Sequence, residues 1–295
     1  MTRTERRDFR NALLFLAPWI VGFAAFMLYP IVSSLFFSFC DSSVLEPPVW
    51  VGAENYTELL RDSIFWVSLG NTAYYAAVSL PLGMAVAIAI ALLLNTKVRG
   101  MAVYRTIFFL PSILPVVAMA ILWLWIFNGQ YGVLNYSLSL LGLPTRHLPT
   151  WLDSPRWAMP ALVLMGLWGV GYSVVIYLAG LQDIPVSLYE SAEIDGANWW
   201  QKTLHITLPM LSPVIYFNLV MGIIGTFQIF AQPYIMTQGG PKRATTFYTL
   251  YLYNLAFEDL RMGYASAMAW ILFVIILVLT LLATKLSQRH VHYER

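Results

Sequence analysis

Charge-free stretches divide this sequence. A charge at the centre of a bilayer costs at least about 2.5 to 3.5 kcal/mol, so segments without Asp, Glu, Lys or Arg mark where a helix can cross. Six exceed the roughly 20 residues that a spanning helix needs: Asn11 to Cys40, Ser63 to Thr96, Thr106 to Thr145, Trp157 to Gln182, Thr203 to Pro241 and Met262 to Thr284. Within or close to them the pattern predicts helices over 13–37, 67–94, 101–127, 158–181, 211–231 and 265–286. Ala244 to Phe257 is also uncharged but too short to cross, and its Tyr and Phe residues suit an interfacial helix or a buried loop. The expected class is an all-α membrane protein of six transmembrane helices, a domain over 11–286 between tails at 1–10 and 287–295.

Composition agrees with a bilayer as solvent. Apolar residues form 59% of the chain and charged residues 11%, against about 45–50% and 25% in soluble domains. The net charge of +2 is too small and too scattered for nucleic-acid binding. Cys40, the single cysteine, excludes an intrachain disulfide and a cysteine-rich metal site, and reads as a small apolar filler. Arg3, Arg6, Arg7 and Arg10 before the first span resemble the head of a secretory signal, but the apolar run that follows is longer than a signal's, so a retained anchor helix is expected. With both termini and the loops around Lys97 and Lys202 on one side, that side holds eleven basic residues and the other six, which makes it the cytoplasm.

Within the spans, Ala85, Ala87, Ala89 and Ala91 form pairs four apart that suit close helix packing. Pro111 and Pro115 each remove a backbone hydrogen bond and predict a distorted helix or a moving hinge. No span holds a buried carboxylate, lysine or arginine, the usual parts of an ion relay, which weakens ion-coupled transport or a simple channel. Asn218, Gln228 and Gln232 remain; Gln228 and Gln232, four apart, share a face on a continuous helix. Such amides serve either a hydroxylated solute in a pore or a neighbouring helix.

The loop over 183–209 reads as structured. Ser187 with Glu190 forms a capping-box pattern, Gly196 supplies a left-handed turn, Asn198 with Gln201 offers a second helix start, and Leu208-Pro209 reads as a stop before membrane entry. A helix, a sharp turn and a second helix either dock in another protein's groove or lie on the bilayer.

Glu190-Ser191-Ala192, Asp195-Gly196-Ala197 and Ile206-Thr207-Leu208-Pro209 resemble the EAA loop of ATP-binding-cassette (ABC) importer permeases, with Ser191 where the signature has its middle Ala. Phe109-Leu110-Pro111, Tyr131 to Asn135, Ala179 to Pro185 and Tyr234 to Pro241 are similar to the sugar-type branch of maltose, lactose and glycerol-phosphate permeases. The resemblance implies the type I importer permease bundle in a bacterial inner membrane and favours docking. It implies an ATPase-coupling surface at Glu190, Ala192, Asp195, Gly196, Leu208 and Pro209, in which Glu190 caps and orients the loop and Asp195 pairs with a basic group on the partner. It also implies the assembly: a second homologous permease, two ATPase subunits holding ATP and Mg, and an extracytoplasmic solute-binding protein.

This chain itself is expected to bind no cofactor and to catalyse nothing. A phosphate-cradling P-loop ends in Gly-Lys, whereas Lys97, Lys202, Lys242 and Lys285 follow Thr96, Gln201, Pro241 and Thr284. His147, His205, His290 and His292 are spread over separate segments, so no metal or catalytic cluster is expected. Sugar, oligosaccharide, polyol and glycerol phosphate all suit as cargo, delivered by the binding protein.

Overall fold

The computed structural model describes residues 2–43, 46–96 and 98–287, and the chain divides into two compact units. Lys97, His290, His292, Arg289 and Arg295, with the rest of the tail after Ser287, lie outside the described residues.

One unit comprises the chain up to Asp62 with Leu252–Phe273. Helix α1 (Arg3–Phe23) runs through a π-helical turn at Ala24–Leu28 into α2 (Tyr29–Phe37). Strands β1 (Cys40–Asp41) and β2 (Val49–Trp50) pair antiparallel with Cys40 opposite Trp50, and α3 (Glu54–Arg61) follows. The amide of Asn55 pins this turn by donating to the carbonyls of Ser38 and Cys40 at 3.0 and 2.9 Å, so buried backbone acceptors are satisfied by a buried side chain. Arg261 Nη2 donates to both carboxylate oxygens of Glu58, at 2.8 and 2.7 Å, just ahead of the start of the last long helix.

The second unit spans Ser63–Tyr251 and the chain from Val274. At its centre is α4 (Ser63–Leu94), against which α8 (Ala158–Trp168), α9 (Gly171–Gln182) and α13 (Ser212–Phe227) pack. Of the four spaced alanines, Ala87 and Ala91 are fully buried against Val174, Tyr177 and Leu178, while Ala85 and Ala89 face outward. Lipid supplies no hydrophobic drive between helices, so close contact of small residues and van der Waals packing hold this seam. Gly180 has the same role: a Cβ there would stand 2.8 Å from Val214.

Several expected helices are broken. Over 101–127 the chain forms α5 (Met101–Ile113) and α6 (Val116–Ile126), bent by 101° at Leu114-Pro115, because the residue before a proline is pushed into extended conformation, here with ψ 134°. Over 158–181, α8 and α9 are bent by 44° at Gly169-Val170. The helix expected over 211–231 ends at Phe227, and α14 (Ala231–Met236) begins after a non-helical step. Beyond α7 (Val133–Leu140), the helices α10 (Val186–Ile194), α11 (Trp199–Lys202) and α12 (Leu208–Met210) build the loop described below. Helix α15 (Tyr248–Tyr253) lies in the short uncharged segment, where Phe247 and Tyr248 are fully buried and the Tyr248 N–H donates to Thr72 Oγ1 at 2.9 Å. This segment is a buried element. Helix α16 (Met262–Ser287) contributes to both units. Among the described residues four helices are long and apolar enough to cross a membrane, or up to six when each bent pair counts as one span.

Candidate functional site

The loop between α9 and α13 folds as a helix, a turn and a second helix. Its first helix starts differently from expectation: Pro185 is the N-cap and no side chain caps it, so Ser187 and Glu190 form no capping box. Pro185 is itself extended, with φ −58° and ψ 127°, and the helix begins at Val186, which places Ser187 one position inside. The turn closes with a Schellman pair, in which Gly196 N–H donates to Glu193 O at 3.0 Å and Ala197 N–H to Ala192 O at 2.8 Å. Gly196 sits at φ +78°, a conformation costly for other L-residues. The second start is a complete capping box, with Gln201 N–H on Asn198 Oδ1 at 3.0 Å and Asn198 N–H on Gln201 Oε1 at 2.8 Å.

Leu208-Pro209 is not a stop. A π-helical turn at Thr203–Thr207 widens the ladder just ahead of it, so Pro209 falls in a first turn where its missing N–H leaves no gap, and the chain continues helically towards α13. Lys202 Nζ bonds Glu193 at 2.8 Å and the Tyr189 hydroxyl lies 3.0 Å from Thr207 Oγ1, tying the two arms together. A groove of about 340 Å³ between the arms brings together Ala192, Asp195 and Gly196. Glu190 is exposed on α10, and Leu208 and Pro209 are half-buried in α12. Sequence reading passed over an exposed apolar set on the loop: Ile194 (88% exposed), Trp199, Trp200 and Leu204. Two adjacent tryptophans flanked by polar residues were the available signal.

At its base the loop joins a buried cluster in which Ile184 and Leu211 pack with Ala91, Leu94, Leu178 and Leu181. That cluster binds α4, α9 and α13. The same three helices, with Gly166 of α8, border a cleft of about 500 Å³ lined in part by Ser79, Tyr172, Ser173, Asn218 and Thr226. The Asn218 amide donates to Val214 O at 3.0 Å. Gln228 and Gln232 border another cleft of about 400 Å³ with Tyr75 and Phe230; Thr226 belongs to both. The two glutamines do not share one continuous helix, since Gln228 lies just past α13, yet they reach one cleft. No charged side chain lines either cleft among the described residues.

Residues 79–292 match the family described as binding-protein-dependent transport system inner membrane component. The probable ABC transporter permease protein YesP of Bacillus subtilis is 42% identical over 99% of this chain and 95% of its own length. The lactose transport system permease protein LacF of Rhizobium radiobacter is 36% identical over 92% of each chain. A chain of the bacterial alginate ABC transporter, solved in complex with an alginate pentasaccharide-bound periplasmic protein, superposes with a TM-score of 0.84 at 27% identity over 98% of each chain.

Proposed function

Because the chain belongs to the family of binding-protein-dependent transport system inner membrane components, as a permease subunit of an ABC importer, we propose that it forms half of a translocation pore for a carbohydrate-like solute. A second homologous permease supplies the other half, and an extracytoplasmic binding protein delivers the cargo. Two ATPase subunits hold the ATP and Mg and do the hydrolysis. Both termini lie in the cytoplasm. Support for the cargo class comes from the lactose and alginate relatives and from clefts that offer hydroxyls, amides and aromatic rings without charge. The excess of basic residues beside the termini supports the orientation.

The observation that carries the proposal is the helix–turn–helix around Gly196, which holds Ile194, Trp199 and Trp200 exposed on a rigid turn. An exposed apolar set on a short helix suits a groove in a partner. Nucleotide-driven closure of the ATPases would then move the loop, and the Ile184 and Leu211 cluster would pass that motion into the helices that border the cleft. Glu190, Ala192, Asp195 and Gly196 lie on or beside the gripped surface, while Leu208 and Pro209 carry it towards α13.

Gly196 offers the test. Open space surrounds its Cα, so a larger residue creates no internal clash and acts through backbone strain and through the partner. In the complex reconstituted in proteoliposomes, Gly196→Trp is expected to cut solute uptake about tenfold while ATP hydrolysis persists, a loss of coupling near 1.4 kcal/mol. Gly196→Asn, which tolerates the left-handed conformation, should retain most uptake. Undiminished uptake by Gly196→Trp at normal assembly overturns the coupling role.

A further inference from the structure

An open groove of about 340 Å³ runs between α5 and α9. Its walls follow the helical repeat, with Phe109, Leu110 and Ile113 on α5 and Val175 and Leu178 on α9. The helices meet closely at Gly171, where a Cβ would stand 2.5 Å from the Phe108 carbonyl oxygen, so part of the groove floor is backbone. Leu110, Ile113 and Val175 are exposed. At membrane depth their neighbour must itself be apolar.

One end differs in character. Arg105 borders the groove there and spends one N–H on the Leu94 carbonyl at 3.2 Å, leaving most of its five donors for another acceptor. That bond holds the planar fork in place ahead of any ligand. The surrounding sequence is lopsided: from Ser63 to Leu152 it contains no Asp or Glu, while Lys97, Arg99 and Arg105 fall within nine residues. Among the described residues neither Arg99 nor Arg105 makes an ion pair.

We propose that this groove binds an anionic phospholipid, its phosphate on Arg105 and one acyl chain along Leu110, Ile113 and Val175. From Arg105 to Ile113 the helix rises about 12 Å, enough to guide much of an acyl chain. A helix from another subunit would cover the apolar row but leave the cations unanswered. The groove adjoins both helix breaks, with Ile113 next to the Leu114-Pro115 bend and Gly171 next to the Gly169-Val170 bend, so the lipid would brace each bend.

The full chain, co-expressed with its partner subunits, is reconstituted in nanodiscs of equal parts phosphatidylglycerol and phosphatidylcholine, and the lipids retained after mild extraction are counted by native mass spectrometry. Phosphatidylglycerol should exceed phosphatidylcholine by about fivefold, the effect of one cation at an anionic surface. Arg105→Gln should abolish that preference, and Val175→Trp, which fills the groove from an exposed position, should reduce retention of both lipids. Equal retention of the two lipids by the wild type, or a preference unchanged in Arg105→Gln, overturns the proposal. So does efficient crosslinking of Val175→Cys to a helix of the second permease, which would show protein in the groove.

Discussion

Gly263 and Gly225 receive an added methyl group in opposite ways. At Gly263 a Cβ would run into the Cys40 carbonyl oxygen and meet the Phe37 carbonyl at 3.1 Å, both backbone atoms that cannot rotate aside. Gly263→Ala is therefore expected to destabilise the protein by about 1–3 kcal/mol, as overpacking does. Gly225 lies inside α13 with nothing within 4 Å, so Gly225→Ala gains helix propensity worth about 1 kcal/mol. Thermal unfolding of the purified protein checks both, and the two midpoints should move in opposite directions. Residue type alone reveals none of this. Gly222 and Gly225 look alike in sequence, yet a Cβ on Gly222 would strike Leu80. The alanines of α4 show the same limit: spacing identifies two possible pairs, and only the neighbours in α9 select Ala87 and Ala91.

Hydropathy located the spans because the cost of a buried charge acts on every helix that crosses, whatever it packs against. Breaks inside the spans were less legible, since a proline's effect depends on whether the backbone around it can absorb the missing donor. Pro30 and Pro209 each follow a five-residue π-helical turn and sit in the first turn of the next helix, so the chain stays helical. Pro81 and Pro111 lie within helices, whereas Pro115 follows an extended Leu114 and coincides with the sharp bend. Pro115→Ala removes the clash that keeps Leu114 out of the helical region. Helices α5 and α6 should then straighten, and with a rise of 1.5 Å per residue the separation of positions 107 and 121 along the helix axes grows from roughly 13 Å across the 101° bend to roughly 21 Å. Spin labels at Ile107 and Ile121, both exposed, should lose dipolar broadening. Unchanged broadening would mean that packing of α6, not Pro115, sets the bend.

At the scale of the molecule, the least satisfied element is the first span, where no residue in the apolar window of Arg6–Phe37 is buried. Phe15, Trp19 and Phe26 are each more than two-thirds exposed, which lipid or another subunit accommodates. The candidate site was legible to a similar depth: the loop around Gly196 stands out through local turn chemistry, whereas the clefts emerge only when helices distant in sequence meet. The spans carry no ionisable relay, and none of the lysines follows a glycine as a P-loop requires. Under the function proposed above, the energy for uphill movement of solute enters through the loop from a nucleotide-hydrolysing neighbour. The chain reconstituted alone in proteoliposomes should accumulate no labelled oligosaccharide, with or without ATP or an ion gradient. Adding the partner permease, the ATPases and the binding protein should give ATP-dependent accumulation. Concentrative uptake by the lone chain would show an energy source within these helices and remove the need for the loop as its point of entry.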